Sequence, residues 1–151
     1  MKITTKSKAE TEQIGLKLAK KVRGGDIFGL IGNLGTGKTC LTKGFAKGLG
    51  IRSSISSPTF ILLKQYAVKK TAIKNFCHVD VYRLHTAQDI FDLGLLEYLK
   101  RKDTVTIIEW ADKLIPLLTQ FRTTFLTFSL INTTTREITI TKKPPGKTIR
   151  G

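Results

Sequence analysis

The chain has two cysteines in 151 residues, no acidic residue between Asp26 and Asp80, and no apolar run as long as a membrane span. Each shortage closes off a class of protein. Cys40 and Cys77 are too few for a disulfide framework or a zinc site. Both fall in segments that read as core, where cysteine behaves as a small hydrophobe. The N-terminus, Met1-Lys2-Ile3-Thr4-Thr5-Lys6, has no apolar h-region behind it, so the expected location is the cytoplasm, with no membrane contact. There are no internal repeats, and no aromatic-interleaved pattern of an RNA-binding motif.

Charge is present in excess of one sign. Twenty-six Lys and Arg face eleven acids, for a net charge of +15. The acid-free stretch still carries Lys38, Lys43, Lys47, Arg52, Lys64, Lys69, Lys70 and Lys74. Such a field favours nucleic acid or an acidic protein surface, although a lysine-rich solvated surface gives the same count.

The length fits one compact α/β domain with a single core. Ser7-Lys8-Ala9-Glu10 reads as a capping box opening a helix, with Ile14, Leu18 and Val22 as its apolar stripe and Gly24-Gly25 as its end. Ile27-Phe28-Gly29-Leu30-Ile31 is short and apolar, the pattern of a buried strand. In the segment beginning at Cys40, Leu41, Phe45 and Leu49 lie four apart on one helical face. Residues 59–68 and 72–81 read as strands joined by Lys69-Lys70-Thr71, so an antiparallel hairpin and a mixed sheet are expected. Residues 86–100 read as helix, with Ile90, Leu93 and Leu96 on one face and Gly94 as a weak point. Residues 104–109 form a buried strand, 111–118 a short helix around Pro116, and 123–131 with 136–141 a closing hairpin. The predicted fold is a single P-loop NTPase-like domain over 1–141, a mixed parallel and antiparallel sheet flanked by helices. Residues 142–151 read as a basic, proline-broken, mobile tail.

The strongest chemical signal is Gly-Asn-Leu-Gly-Thr-Gly-Lys-Thr at 32–39, a complete G-x-x-x-x-G-K-[ST] loop between a strand and a helix. Its glycines let backbone N–H groups converge on an anion, and the helix start adds partial positive charge. Gly35, Thr36, Gly37, Lys38, Thr39 and Cys40 are the candidate nucleotide-binding residues. Lys38 would reach the β- and γ-phosphates, and the Thr39 hydroxyl would ligate Mg²⁺. Two strands end in carboxylates, Asp80 and Glu109. A P-loop enzyme needs one such group at the metal and another to orient or deprotonate water. Ser56-Ser57-Pro58-Thr59-Phe60 stands where a γ-phosphate-sensing switch is often placed, with Thr59 as its hydroxyl. The residues alone leave three readings: a nucleotide hydrolase, a small-molecule or nucleoside kinase, and a basic RNA-binding nucleotide switch. No arginine-rich lid supports the kinase.

These motifs in this order resemble the TsaE (YjeE) family of P-loop ATPases, which serve threonylcarbamoyladenosine modification of bacterial tRNA. The resemblance rests on residues 32–39, Ser57-Pro58-Thr59-Phe60, His78-Val79-Asp80-Val81-Tyr82-Arg83-Leu84, Glu109-Trp110 and Arg136-Glu137-Ile138, and covers nearly all of 1–141. Cys40 stands where the family often repeats threonine, and Thr36 where alanine is usual. The resemblance implies ATP as nucleotide, Thr39 and Glu109 as Mg²⁺ ligands, and Asp80, with Lys38, as catalytic. It places Ser7 and Thr11 beside the adenine, Arg136 near the nucleotide and Trp110 close to the site. It further implies a slow ATPase acting on an assembly of the TsaD and TsaB proteins, with Tyr82 and Arg83 as candidates for the partner contact. Direct tRNA contact through the basic surface is left open.

Overall fold

A computed structural model describes residues 1–56, 63–69 and 72–146. Among them are seven strands in one sheet, ordered β1-β7-β6-β2-β5-β4-β3. The four central strands, β6 (Thr123–Leu130), β2 (Ile27–Ile31), β5 (Thr104–Glu109) and β4 (Asn75–Asp80), run parallel. At one edge β3 (Leu63–Ala67) pairs antiparallel with β4. At the other, β7 (Arg136–Thr141) runs antiparallel to β6, and β1 (Lys2–Thr5) antiparallel to β7. The mixed sheet of the P-loop fold is therefore realised as expected. Every residue of β2 and β5 is buried, as befits parallel strands covered on both faces.

Helices α1 (Lys8–Ala19) and α2 (Lys38–Gly48) cover one face, and α3 (Ala87–Leu93), α4 (Leu95–Leu99), a 3₁₀ turn at Ala111–Leu114 and α5 (Ile115–Leu118) lie on the other. The alternation of β2 divides its residues between the two layers. Phe28 and Leu30 join Leu41, Phe45 and Phe76 on one side, while Ile27 and Ile31 join Leu95, Leu114 and Leu118 on the other. Phe28 meets Phe45 edge to face at 5.2 Å, Phe45 is tilted against Phe76 at 5.6 Å, and Phe76 stacks on His78 at 6.4 Å.

Ser7 caps α1 by accepting from the Glu10 backbone N–H, and the Glu10 carboxylate accepts from Lys6 N–H. The first helix then packs on α2 almost backbone to backbone. A Cβ on Gly15 would lie 2.0 Å from the Leu41 carbonyl oxygen, and one on Gly44 would lie 1.8 Å from that of Glu12. The fully buried residues of α1 are accordingly Thr11, Gly15 and Ala19, while Ile14, Leu18 and Val22 pack at the flank of the core.

Several sequence expectations are corrected. β1 was not anticipated, because Lys2–Thr5 shows no clean alternation; its pairing with β7 forms it. The helix expected over 86–100 breaks at Gly94, which takes φ 72°. Beyond that break the buried positions are Leu95 and Leu99, and Leu96 is exposed. The second strand of the hairpin begins only at Asn75. Cys40 is half-buried rather than in the core. Lys142, at the start of the expected tail, donates to Thr124 Oγ1 at 2.6 Å, tying that residue to β6. Thr59 and its neighbours at 57–62 lie outside the described residues.

Candidate functional site

The C-terminal ends of β2, β4 and β5 meet at one edge of the sheet, where ligands bind in open α/β folds. Glu109 is in register with Leu30 on one side and Asp80 on the other. The glycine loop therefore leaves β2 directly beside Glu109, with Asp80 one strand further on. A cleft of about 500 Å³ opens there, lined by the loop, Lys38, Thr39, Cys40, Asp80, Glu109, Trp110 and Arg136.

Within the loop Gly35 and Gly37 take φ 79° and 105°, a backbone region that side chains disfavour. A Cβ on Gly37 would also press on Arg136 Cδ at 3.0 Å. Thr36 is buried and its hydroxyl donates to the Asn33 carbonyl at 2.7 Å, bracing the turn. Lys38 is only 5% exposed. Its Nζ donates to the carbonyls of Gly32 and Asn33 at 2.6 and 2.9 Å and lies 4.4 Å from the centre of the Trp110 ring. Burial holds this ammonium below the usual lysine range, while the charges of Glu109, Asp80 and Asp112 pull it back up.

The Thr39 hydroxyl donates to Glu109 Oε1 at 3.1 Å, a contact across 70 positions of sequence. The other carboxylate oxygen, Oε2, is 2.8 Å from His78 Nε2, and both side chains are buried. His78 and Asp80 are two residues apart on β4 and so project to the same face as Glu109. Asp80 accepts from the Tyr82 backbone N–H at 2.9 Å, which bends the chain out of β4.

Trp110 turns the chain out of β5 with φ 62° and ψ 37°. A non-glycine residue held there costs about 1–3 kcal/mol, so the surroundings must hold it. They do so from two sides, with Lys38 over the ring and Tyr82 packed at 4.8 Å. Lys113 donates to the Tyr82 carbonyl and stands 5.3 Å from its ring. Arg136 is buried, and its Nε makes no hydrogen bond among the described residues.

The predicted residues fall into two groups. Gly35, Gly37, Lys38, Thr39, Cys40, Asp80, Glu109, Trp110 and Arg136 all line the cleft. Thr36, whose side chain is buried and turned to the Asn33 carbonyl, does not, and neither do Ser7 and Thr11. Ser7 is engaged as the α1 cap, and the fully buried Thr11 hydroxyl is 2.7 Å from that of Thr5. Their helix instead sends Lys8 and Glu12 to the cleft wall. Tyr82 and Arg83 are exposed at the rim. His78 is the important residue that sequence reading missed, although its two-residue spacing from Asp80 carries the signal.

The family model described as threonylcarbamoyl adenosine biosynthesis protein TsaE matches residues 5–139. The chain belongs to the TsaE family. The TsaE proteins it is similar to include that of Treponema pallidum, 35% identical over 93% of this chain and 99% of the relative. The Bacillus subtilis protein is 40% identical over 74% of this chain and 66% of its own length. The Streptomyces coelicolor protein is 39% identical over 73% of each. Among solved structures, the crystal structure of Bacillus subtilis YdiB superposes with a TM-score of 0.73 at 33% identity, covering 93% of this chain and 83% of that one. As a TsaE protein, this chain has its place in the biosynthesis of threonylcarbamoyladenosine in tRNA. Among the described residues no helix is long and apolar enough to cross a membrane.

Proposed function

We propose that the chain is a Mg²⁺-dependent ATPase that serves threonylcarbamoyladenosine synthesis in the cytoplasm by acting on a TsaD–TsaB assembly. The observation that carries this reading is the convergence of Lys38, Thr39, Asp80 and Glu109 on one cleft at the mouth of a glycine loop. An anion fits the cradle because the backbone at Gly35 is open, and because Gly37 lets Arg136 close on the loop with a buried Nε that has no hydrogen-bond partner among the described residues. A hard divalent cation suits the hydroxyl–carboxylate pair of Thr39 and Glu109. Among the described residues no cluster of three or more His, Cys, Asp or Glu is placed to hold a metal. Mg²⁺ takes one or two protein groups and completes its shell with phosphate and water. When bound, Mg²⁺ would neutralise charge on the β- and γ-phosphates.

This chain's residues divide the remaining work. Lys38 gives up its two carbonyl partners and turns its ammonium to the phosphates. Asp80, on the strand beside Glu109, orients the attacking water and takes its proton. The water oxygen bonds to the γ-phosphorus as the bond to the β–γ bridging oxygen breaks, leaving ADP and inorganic phosphate. No arginine finger is supplied within this reading, so slow turnover is expected without a partner. The partner reading is supported by the rim, where Leu34 and Tyr82 are 86% and 56% exposed beside Arg83.

Phosphate release by the wild type and by Lys38→Ala tests the reading. The wild type should release phosphate from ATP with no phosphorylated acceptor, and the folded variant should neither hydrolyse nor retain ATP. Turnover unchanged in Lys38→Ala would reject the assignment, and a phosphorylated nucleoside product would transfer it to the kinases.

A further inference from the structure

Positive charge is not spread evenly over this molecule. The loops feeding the N-terminal ends of the parallel strands lie at the pole opposite the cleft, and every one of them is basic. Lys20, Lys21 and Arg23 follow α1 on the way to β2, and Lys100, Arg101 and Lys102 follow α4 on the way to β5. Arg122 precedes β6, Lys142 and Lys143 follow β7, and Lys69 and Lys74 flank the turn between β3 and β4. All these side chains are exposed. The described residues of these loops hold two acids, Asp26 and Asp103, and each already pairs with an arginine, Arg122 at 2.7 Å and Arg101 at 3.1 Å. Of the other acids, Asp80, Asp89, Glu109 and Asp112, with Glu10 and Glu12, belong to the opposite half, at or near the cleft, and Glu97 lies on α4 one turn before Lys100. The cleft end mixes these acids with Lys8, Lys38, Lys43 and Arg136, whereas the loops at the other pole carry a clear excess of positive charge.

We propose that this basic pole is a docking surface for the phosphodiester backbone of structured RNA, separate from the cleft. From the end of β7 to the end of β3 the row crosses five strand spacings, about 24 Å at roughly 4.8 Å each. A duplex presents about one negative charge per 1.7 Å of axis, so over that length it meets a lysine or arginine on each strand end with charge to spare. The one aromatic in the described residues of these loops, Phe121, is half-buried against the core, and lysine-rich loops of this kind suit backbone contact and not base reading. A membrane fits less well, because surface-bound proteins set apolar side chains among their lysines. Of the exposed large hydrophobic residues described, Met1 is at this pole and Leu96 lies one helical turn before Lys100, while Leu34, Tyr82, Leu130 and Ile131 belong to the cleft end.

The test must separate a located surface from bulk charge. Two triple variants, K21E/K100E/K102E at the pole and K6E/K64E/R83E at the cleft end, change the net charge equally. Binding of a labelled RNA hairpin would be followed by anisotropy from about 50 to 200 mM salt. The pole variant should lose at least about tenfold more affinity than the other, and its salt slope should fall by roughly two to three. A glutamine triple at the same pole positions should lose less, and in the same direction. Thermal melting and ATP binding on the same samples establish that the variants are folded, and an absence of ATP binding in all of them would count against the cleft assignment alone. Equal losses in the two glutamate variants, or none in either, would overturn the proposal. Capture by phosphatidylserine vesicles with no binding of the hairpin would overturn it too, in favour of a lipid surface.

Discussion

His78 Nε2 lies 2.8 Å from Glu109 Oε2 with neither side chain open to solvent, so the carboxylate that faces Thr39 with one oxygen is anchored by the other. The contact needs a proton on Nε2, and it fixes which way Glu109 points. Removing such an outer partner commonly weakens metal binding ten- to a hundredfold. His78→Leu should therefore raise the Mg²⁺ concentration that supports hydrolysis by about tenfold, while His78→Gln, which keeps an N–H donor, should recover part of the loss. A Mg²⁺ titration of both variants, with melting curves alongside, separates this effect from simple unfolding.

The two strand-end carboxylates should differ in the same assay. Glu109→Gln removes the charge opposite Thr39 and should shift the Mg²⁺ requirement. Asp80→Asn should leave ATP binding within about threefold and slow turnover by roughly a hundredfold, the usual contribution of a positioned base. Calorimetry for binding and phosphate release for turnover would reveal an exchange of these roles.

Trp110 is the single tryptophan of the chain, and the Lys38 ammonium stands over its ring at 4.4 Å. Transfer of Lys38 to phosphate removes a cation from the indole face. Titration with ATP and Mg²⁺ should change the emission intensity saturably, and Lys38→Ala should abolish the change while keeping a folded spectrum.

The two cysteines should report on different events. Burial raises the Cys77 thiol from 9.0 to about 12, so below pH 9.0 both folded and unfolded chains keep the proton. Between 9.0 and about 12 the unfolded chain ionises first, and this contribution to stability is lost as pH rises through that window. Cys40 lines the cleft, where burial and Glu12 also raise its thiol while Arg136, Lys43 and Lys8 oppose them. A thiol reagent near neutral pH should label Cys40 alone, and saturating ATP should slow that labelling. Cys77 should react only at the rate of global unfolding.

The parts of this fold written in local pattern were legible from the sequence. The buried run of β2, the glycine loop and the Leu41–Phe45–Leu49 face of α2 are all local, and the structure has them where the pattern puts them. β1 was not legible, because Lys2–Thr5 becomes a strand only through β7, more than a hundred residues away. Thr11 illustrates the limit at the site. The resemblance sets it beside the adenine, and no local pattern shows that its hydroxyl turns inward to Thr5. His78 was hidden for a similar reason, since its role depends on the register between β4 and β5.

The glycine seam between α1 and α2 bears on how the molecule opens. Two helices whose carbonyl oxygens occupy the space of each other's missing side chains have no room to slide, and neither can detach without baring the aromatic cluster beneath. Their amides should therefore exchange with solvent as one cooperative unit, even though α1 has fewer buried residues than α2. The start of α2 carries Lys38 and Thr39, so α1 and the phosphate-facing residues would share a single opening free energy. A ligand in the cleft should then slow exchange along the whole length of α1, well beyond any atom it touches.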